Sequence, residues 1–563
     1  MKTQLSCLLP LLAAACSSSG ITKTTDGGSV TDWAQRPDPG SGAGSNDAAS
    51  SGPSDASASK PDPSFISGGY HVGPGQPYTA IGDVPWYKLQ PGDTVYIHYR
   101  AEPYRERFLI SGRGTPSQWI RVLGVPGPAG ELPVISGDGA TTSTNSHYHW
   151  QNPTDFQNLG VIQIAIHEEG PIPGYIEVAK LQVQDGRTTQ KFTAENGQTA
   201  PYDGFAACIY AKSPQHLLIH DCVLTNCGQG FYNWTGDGQT TKPPSGQWWD
   251  GLAMDITLRQ NYFYNNGNPN RYTEHQSYTE ALGVVIEGNH YGKMQANALG
   301  NQIKDRSAGT VIRYNYIESA NAAWHLDLVE PEESAPTTTK SPLYGQDYVY
   351  GNVLMTNPLP PEWDDFIHWN EDHYVGTDGR AIAADHRLFL YHNTIMVKAD
   401  LGDATLFHLV NSNYGGWDCA PAALNGHVDL RNNIIALQPR TAKSAAPTLE
   451  LGYCKENFDL SHNWISPGWT RSKAGTVAGA DTTTSPSDNN IGFADLSSGN
   501  LRLAAASSAT GLGDALAPQV VTNNAGQDYT PVYQYHLPHS LPTPTWDNRP
   551  NSGKAADLGA FQH

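Results

Sequence analysis

Basic residues are scarce and never gather. Thirty-four lysines and arginines stand against 54 aspartates and glutamates, a formal charge of −20. No basic run is long enough to follow a phosphate backbone, which excludes nucleic acid as a partner. The same imbalance repels anionic polymers at long range, so an acidic ligand would need local positive charge set against the global field. Long apolar runs are also missing: the longest, residues 5–12, is too short to span a bilayer as a mature helix. The seven cysteines show no metal-ligand spacing. Phenylalanine (13) is scarce beside tyrosine (28) and tryptophan (14). Most aromatic surface therefore carries a polar tip, which suits both core filling and stacking on sugar faces. With 38% apolar residues, 57 glycines and 40 prolines, the composition fits many short strands joined by many turns.

What is present begins with a leader. Lys2 supplies a charged n-region, residues 5–12 an apolar run, and Ala13, Ala14 and Ala15 a small-residue stretch directly before Cys16. This resembles a bacterial lipoprotein lipobox, with Ala13 where leucine is commoner. The resemblance implies cleavage before Cys16 and acylation of its thiol, a stable membrane anchor; the alternative is cleavage and free secretion. Ser17 after the cysteine resembles a signal for outer-membrane sorting. Residues 16–65, rich in Ser, Gly, Ala, Asp, Thr and Pro, read as a flexible tether. The expectation is an exported, surface-anchored monomer. In an oxidising compartment, Cys419 and Cys454 are a candidate bridge, and one of Cys208, Cys222 and Cys227 must stay unpaired.

From about residue 66 to 500 a short pattern recurs: apolar, two residues, Asn or Asp, one residue, apolar. It reads Leu218-Ile-His-Asp221-Cys-Val, Leu258-Arg-Gln-Asn261-Tyr-Phe and Ile286-Glu-Gly-Asn289-His-Tyr, and continues at Asn315, Asn352, Asn393, Asn433 and Asn463. A fixed motif at variable gaps predicts an all-β chain wound as a single-stranded right-handed parallel β-helix. In such a coil the apolar residues fill the interior, the Asn sits at a bend, and the extra residues bulge out as loops. Residues 501–563 are expected to form a C-terminal cap and tail.

The opening series, Leu89-Gln-Pro-Gly-Asp-Thr-Val-Tyr-Ile97, Ser111-Gly-Arg-Gly-Thr115 and Ile120-Arg-Val-Leu-Gly-Val-Pro-Gly127, resembles carbohydrate-active β-helix proteins of the pectate-lyase superfamily. The exit, Gly492-Phe-Ala-Asp495 and Asp557-Leu-Gly-Ala-Phe561, resembles them too. Such a fold hosts several chemistries, so function must come from a site.

Polar residues concentrate between 271 and 330. Tyr278 precedes Asn289 by 11 positions and Lys304 precedes Asn315 by 11, so coils in register place Tyr278 beside Lys304 and Glu280 beside Arg306. Such a set suits β-elimination on a uronic-acid polymer, which needs a base at C5, a cation or donor on the carboxylate and an acid for the leaving oxygen. The expected roles are Lys304 as base, Arg306 as neutraliser of the carboxylate, and His325 or Tyr278 as acid. Arg271, His275, Glu280, Asn301, Trp363, His368 and Trp369 are expected sugar contacts, the last three from a long loop forming a cleft wall. The arrangement resembles the chondroitinase-B and alginate-lyase family of β-helix lyases, in which a lysine base is followed about one coil later by an arginine. Lys304 matches that lysine; 21 positions on, this chain has His325, and Asn297-Ala-Leu-Gly-Asn301 replaces the family's calcium-binding glutamates. No cofactor is required by the sequence, although Glu280, Asp327 and Glu330 could together offer oxygens to calcium. Two other readings stand beside the lyase: a glycoside hydrolase using Asp364, Asp365 or Glu280, and a non-catalytic glycan-binding adhesin.

Overall fold

The computed structural model describes residues 69–148, 153–154, 156–167, 170–236, 251–319, 322–356, 365–369, 386–399, 404–409, 427–439, 448–452, 457–472, 490–523, 526–537, 539–550 and 556–562. The leader, Cys16, the tether, Trp363, Asp364, Cys419 and Cys454 lie outside them.

Strands of two to six residues, alternating inward and outward, stack turn upon turn into three sheets. In one turn the chain runs through Ala308–Arg313 in a first sheet, Tyr316–Glu318 in a second and Leu326–Leu328 in a third. It re-enters the first sheet at Gln346–Tyr350, paired in parallel with Ala308–Arg313. Among the described residues these sheets hold 12, 10 and 14 strands, and their pairings are parallel apart from Lys191–Thr193 with Thr199–Pro201. This is the expected parallel β-helix. Inward residues such as Ile256, Ile286, Ile312, Val349, Leu390 and Leu430 form one continuous dry core.

Asparagines mark the bend between the first and second sheets, and each buried amide bridges its neighbours. Asn352 donates from Nδ2 to Ile312 O (2.9 Å) and Asn393 Oδ1 (3.0 Å), and its Oδ1 accepts from Asn315 N and Nδ2, both at 2.9 Å. The ladder runs through Asn261, Asn289, Asn315, Asn352, Asn393, Asn433 and Asn463. Asp221 does not belong to it. The pairing of Val223 with Tyr262 sets Cys222 opposite Asn261, and the Cys222 amide donates to Asn261 Oδ1 at 3.0 Å. Asp221 is the left-handed residue before the bend (φ +53°), bonded to His220. Cys222 is the unpaired thiol and is buried, whereas Cys208 and Cys227 form a disulfide.

The chain after Asn490 packs back onto the outside of the coil. Leu501, Tyr535, Leu558 and Phe561 cluster with Tyr316, Val353, Met396 and Ile434 of the second sheet. Val520 and Tyr529 cluster with Tyr348, Tyr350, Phe389 and Tyr391 of the first.

A left-handed position also recurs inside the first sheet. The second residues of five consecutive strands, Tyr175, His216, Asp255, Gly283 and Gly309, all have positive φ, between +49° and +86°. Glycine adopts this conformation freely. For a side chain as bulky as tyrosine it costs roughly 1–2 kcal/mol.

Candidate functional site

Strand alternation and register build the site on the outer face of the third sheet. Ile303, Leu326 and Ile367 pair with one another in the core, so the residues that follow them point outward. The register aligns Tyr210, Tyr232, Tyr278, Lys304, Asp327 and His368 in one column, with His408 continuing it in the backbone. The expected neighbours Tyr278 and Lys304 are thus paired directly.

Asp327 is the hub. One oxygen, Oδ2, accepts from Lys304 Nζ at 2.7 Å and Asn301 Nδ2 at 2.6 Å; the other, Oδ1, lies 2.7 Å from His368 Nδ1. All four side chains are buried. Trp324 stacks on the His368 ring at 4.5 Å and remains half-buried. Asn301 is placed in turn by its backbone amide, which donates to His275 Nδ1 at 2.9 Å. Charge-assisted bonds in a dry environment are strong and fix geometry. The imidazole is therefore locked in plane by a carboxylate, with its second nitrogen turned away from Asp327.

Beside this cluster, Arg306 Nε donates to the Tyr278 hydroxyl at 3.0 Å, and its Nη1 donates to Glu330 O at 2.9 Å. Its guanidinium also faces the carboxylates of Glu330 (3.9 Å) and Glu332 (3.6 Å). The Tyr278 oxygen accepts from the cation, so its own hydrogen points elsewhere. Burial raises the phenol well above its usual value, partly offset by Arg306. Glu280 fastens the inserted segment after Glu330: its Oε1 accepts from Glu332 N (2.8 Å), Ser334 N (2.8 Å) and Ser334 Oγ (2.7 Å). Burial, then the neighbouring Glu333 charge, pushes the Glu280 carboxyl up to about 8. Tyr232 meets Tyr278 edge-on at 5.0 Å and stacks with Tyr210 at 5.4 Å, extending the column as an aromatic strip.

Several expected placements are corrected. His325 is not beside Lys304: its ring is fully buried, stacks on the core residue Phe366 at 4.7 Å and bonds through Nε2 to Met355 O at 3.1 Å. Burial lowers it to about 4, leaving it neutral. Asp365–Trp369 is a strand of the third sheet, not a loop. Alternation turns Trp369 into the core, where its Nε1 donates to Asp347 Oδ2 at 2.9 Å, so it faces no sugar. Arg306 bonds to Tyr278 and to the 330–332 segment. Asp305, next in sequence to Arg306, points inward and accepts from Thr279 and Ser307. Arg271 is exposed and paired with Glu274 at 2.7 Å, apart from the Asp327 contacts. Glu280, Asp327 and Glu330 do not converge. Each is held by different partners, and among the described residues no three His, Cys, Asp or Glu side chains group as metal ligands; these residues do not fit a calcium site.

The Asp327–His368 dyad and Trp324 were not expected as a unit. A signal existed: Asp327 and His368 each precede the next ladder asparagine, Asn352 and Asn393, by 25 positions. The inserted residues lengthen both turns alike.

No family model matches the chain, and no curated protein does. Among solved structures, the chain is similar to pectate lyase Pel9A, at 12% identity and a TM-score of 0.40, covering 88% of this chain and 96% of that one. It is also similar to a PL6 family polysaccharide lyase from Pseudopedobacter saltans (11%, TM-score 0.39, 78% and 96%). A third is an alginate lyase from Paenibacillus sp. str. FPU-7 (13%, TM-score 0.32, 61% and 89%). Identities and TM-scores this low leave the chemistry to be read from the residues themselves.

Proposed function

We propose that this chain is a polysaccharide lyase that cleaves a uronic-acid-containing glycan by β-elimination. The observation that carries the reading is the buried Lys304–Asp327–His368 row, set in one column with Tyr278 on the outer face of the third sheet. A uronate C5 proton is weakly acidic because the adjacent carboxylate resists further negative charge. Removing it takes a cation at that carboxylate, a base at C5 and a donor at the leaving oxygen. Lys304, already the cation of an ion pair, supplies the first. Its nitrogen is a donor to Asp327, and this supports assigning the base to His368 in place of Lys304. With Nδ1 turned to Asp327, Nε2 is the nitrogen assigned to take the C5 proton. As the proton leaves C5, its electron pair becomes the C4–C5 double bond and the C4–O bond breaks. The leaving oxygen takes the Tyr278 hydroxyl proton, and Arg306 stabilises the phenolate that results. Tyr232 and Trp324 offer half-buried aromatic surface for sugar faces. Export and a lipid anchor at Cys16 would place the enzyme where such polymers are met.

The test is incubation of purified chain with alginate, pectate, chondroitin, hyaluronan and glucuronans, following ultraviolet absorbance of an unsaturated uronate. We expect absorbance on at least one polymer, and its loss in Lys304→Ala and His368→Ala. New reducing ends without absorbance would establish hydrolysis instead. Binding with neither signal would favour the adhesin.

A further inference from the structure

The N-terminal part of the first sheet carries a second group of aromatic and charged side chains that none of the roles above uses. Trp119 meets Tyr175 edge-on, with ring centres 5.7 Å apart. Tyr175 lies flat on His216 of the next turn, at 4.2 Å and 14°. His216 Nδ1 is 2.8 Å from Asp255 Oδ2 one turn further on, which fixes the ring plane under the tyrosine. The Arg113 guanidinium lies 5.5 Å from the Tyr175 ring centre, and its Nη1 donates to Gln215 Oε1 (3.0 Å) and Ile172 O (3.2 Å). Trp119, Tyr175, His216 and Arg113 all keep partial solvent exposure.

The backbone gives an independent observation. Tyr175 (φ +50°), His216 (+56°) and Asp255 (+49°) occupy the left-handed position that glycine fills at Gly283 and Gly309 in the next two turns. Pairing skips this position: Gln215 pairs with Gly174 and Met254, and Leu217 with Ile176 and Ile256. A left-handed residue between two paired ones turns its side chain out of the regular strand alternation. The two glycine turns show that the fold needs no side chain there, so a tyrosine held in that conformation marks a constraint other than folding. Successive turns repeat the display at the strand spacing of about 4.8 Å, a step comparable with the advance of one sugar in an extended chain.

We propose that Trp119, Tyr175 and His216 form a glycan-binding platform, distinct from the Lys304 cluster, that holds an acidic polysaccharide strand with Arg113 on its carboxylates. The acidic class of ligand rests on the uronate reading of the Lys304 cluster; the platform itself does not. The rings supply stacking faces and Arg113 supplies the local cation that a chain of formal charge −20 needs. The strand bearing Tyr175 lies four pairings, roughly 19 Å, from the strand that follows Lys304. A polymer strand serving both would have to run along the coil for at least this distance.

The test is affinity electrophoresis of the full chain, in a His368→Ala background that prevents turnover, through gels containing sodium polygalacturonate, sodium alginate or neutral hydroxyethylcellulose. We expect retardation in an acidic gel, weakened roughly tenfold by Tyr175→Gly and by Trp119→Ala. Tyr175→Gly relieves the positive φ, so its melting temperature should equal or exceed that of the parent, which separates lost binding from misfolding. Arg113→Gln should lose retardation in the acidic gels. The platform is overturned if Tyr175→Gly and Trp119→Ala both keep the parent's retardation, or if the parent is retarded in no gel. Equal retardation in the neutral gel overturns the acidic class. Tyr175-dependent retardation, together with no ultraviolet product from the chain with His368 intact on any of the polymers, would sink the lyase and leave the platform standing.

Discussion

Replacing Asp327 by asparagine keeps the shape of the hub and removes its charge. Lys304, Asn301 and His368 all bond to that carboxylate, at 2.7, 2.6 and 2.7 Å. In Asp327→Asn one acceptor oxygen becomes a donor, and a buried ammonium loses its counter-ion. Breaking a buried pair from one side costs about 3–5 kcal/mol. Hydrogen bonds to charged groups contribute about 1.5–3 kcal/mol each, so loss of two of the three gives a similar figure by a separate route. Asp327→Asn should therefore lower stability by about 3–5 kcal/mol in urea melts followed by tryptophan fluorescence. Turnover should fall by about 10²–10⁴-fold, the usual contribution of a positioned acid or base. The decisive comparison is Lys304→Met with Asp327→Leu in one chain. Removing both charges abolishes the desolvation that makes the single change costly, so most of the stability should return while turnover stays absent. His368 loses its carboxylate in both chains, so that loss cancels between them. A double variant as unstable as Asp327→Asn, or an Asp327→Asn chain within about 1 kcal/mol of the parent, would refute the ion pair as the element that holds the site.

Asn352→Ala leaves the Asn315 amide and one of its Nδ2 hydrogens without their acceptor, and Ile312 O without that donor. At about 1–3 kcal/mol for each orphaned buried group, a loss of several kcal/mol is expected, against almost none for the exposed Asn196→Ala in the same melts. Glu280 sets a pH dependence of stability. Its carboxyl is raised to about 8 in the fold, against about 4.3 unfolded, so between these values the folded chain holds a proton that the unfolded chain lacks. Its stabilisation is therefore full below about pH 4.3 and is lost as pH rises through about 8. Glu280→Gln keeps an Oε1 acceptor for Glu332 N and Ser334 but cannot titrate, so its melting temperature should fall less between pH 5 and 8. Parallel slopes would contradict the assignment.

The coil was legible because a buried amide must satisfy two neighbours at once, which forces one residue type to recur at every bend. The motif did not fix its own first register. Asp221 matched the pattern, but Cys222 stands at the ladder position, and only the pairing of Val223 with Tyr262 shows it. The adjacency of Tyr278 and Lys304 was legible because both turns place the strand 11 residues before the bend. Asp327 and His368 were hidden by insertions between the third and first sheets, which broke that count. His325 was mislocated by counting along the chain from Lys304. The turn reaches the third sheet only at Leu326, so a residue one position earlier belongs to the corner and is captured by Phe366. Trp369 was misread for a related reason: the acidic and aromatic residues around it resemble a loop, whereas strand alternation sends the tryptophan inward.

The location of the chemistry follows from what the rest of the chain covers. Residues after Asn490 pack on the first and second sheets, and the interior is a column of aliphatic and aromatic side chains. Among the described residues the C-terminal segment clusters with no residue of the third sheet, whose outer face carries the Tyr–Lys–Asp–His column. Its cations arrive already paired, Lys304 with Asp327 and Arg306 with Glu330 and Glu332. That pairing makes a buried cluster tolerable in a chain of formal charge −20, and it means that the site draws no anion from a distance. On the proposed reading, a uronate would be recognised only when its carboxylate comes within bonding range of Lys304 and competes with Asp327. Selectivity would then depend on the fit of the sugar between Tyr278 and Trp324, and the polymer would have to be held near the cluster by something other than long-range charge. That hold is the role proposed for the aromatic platform at Tyr175.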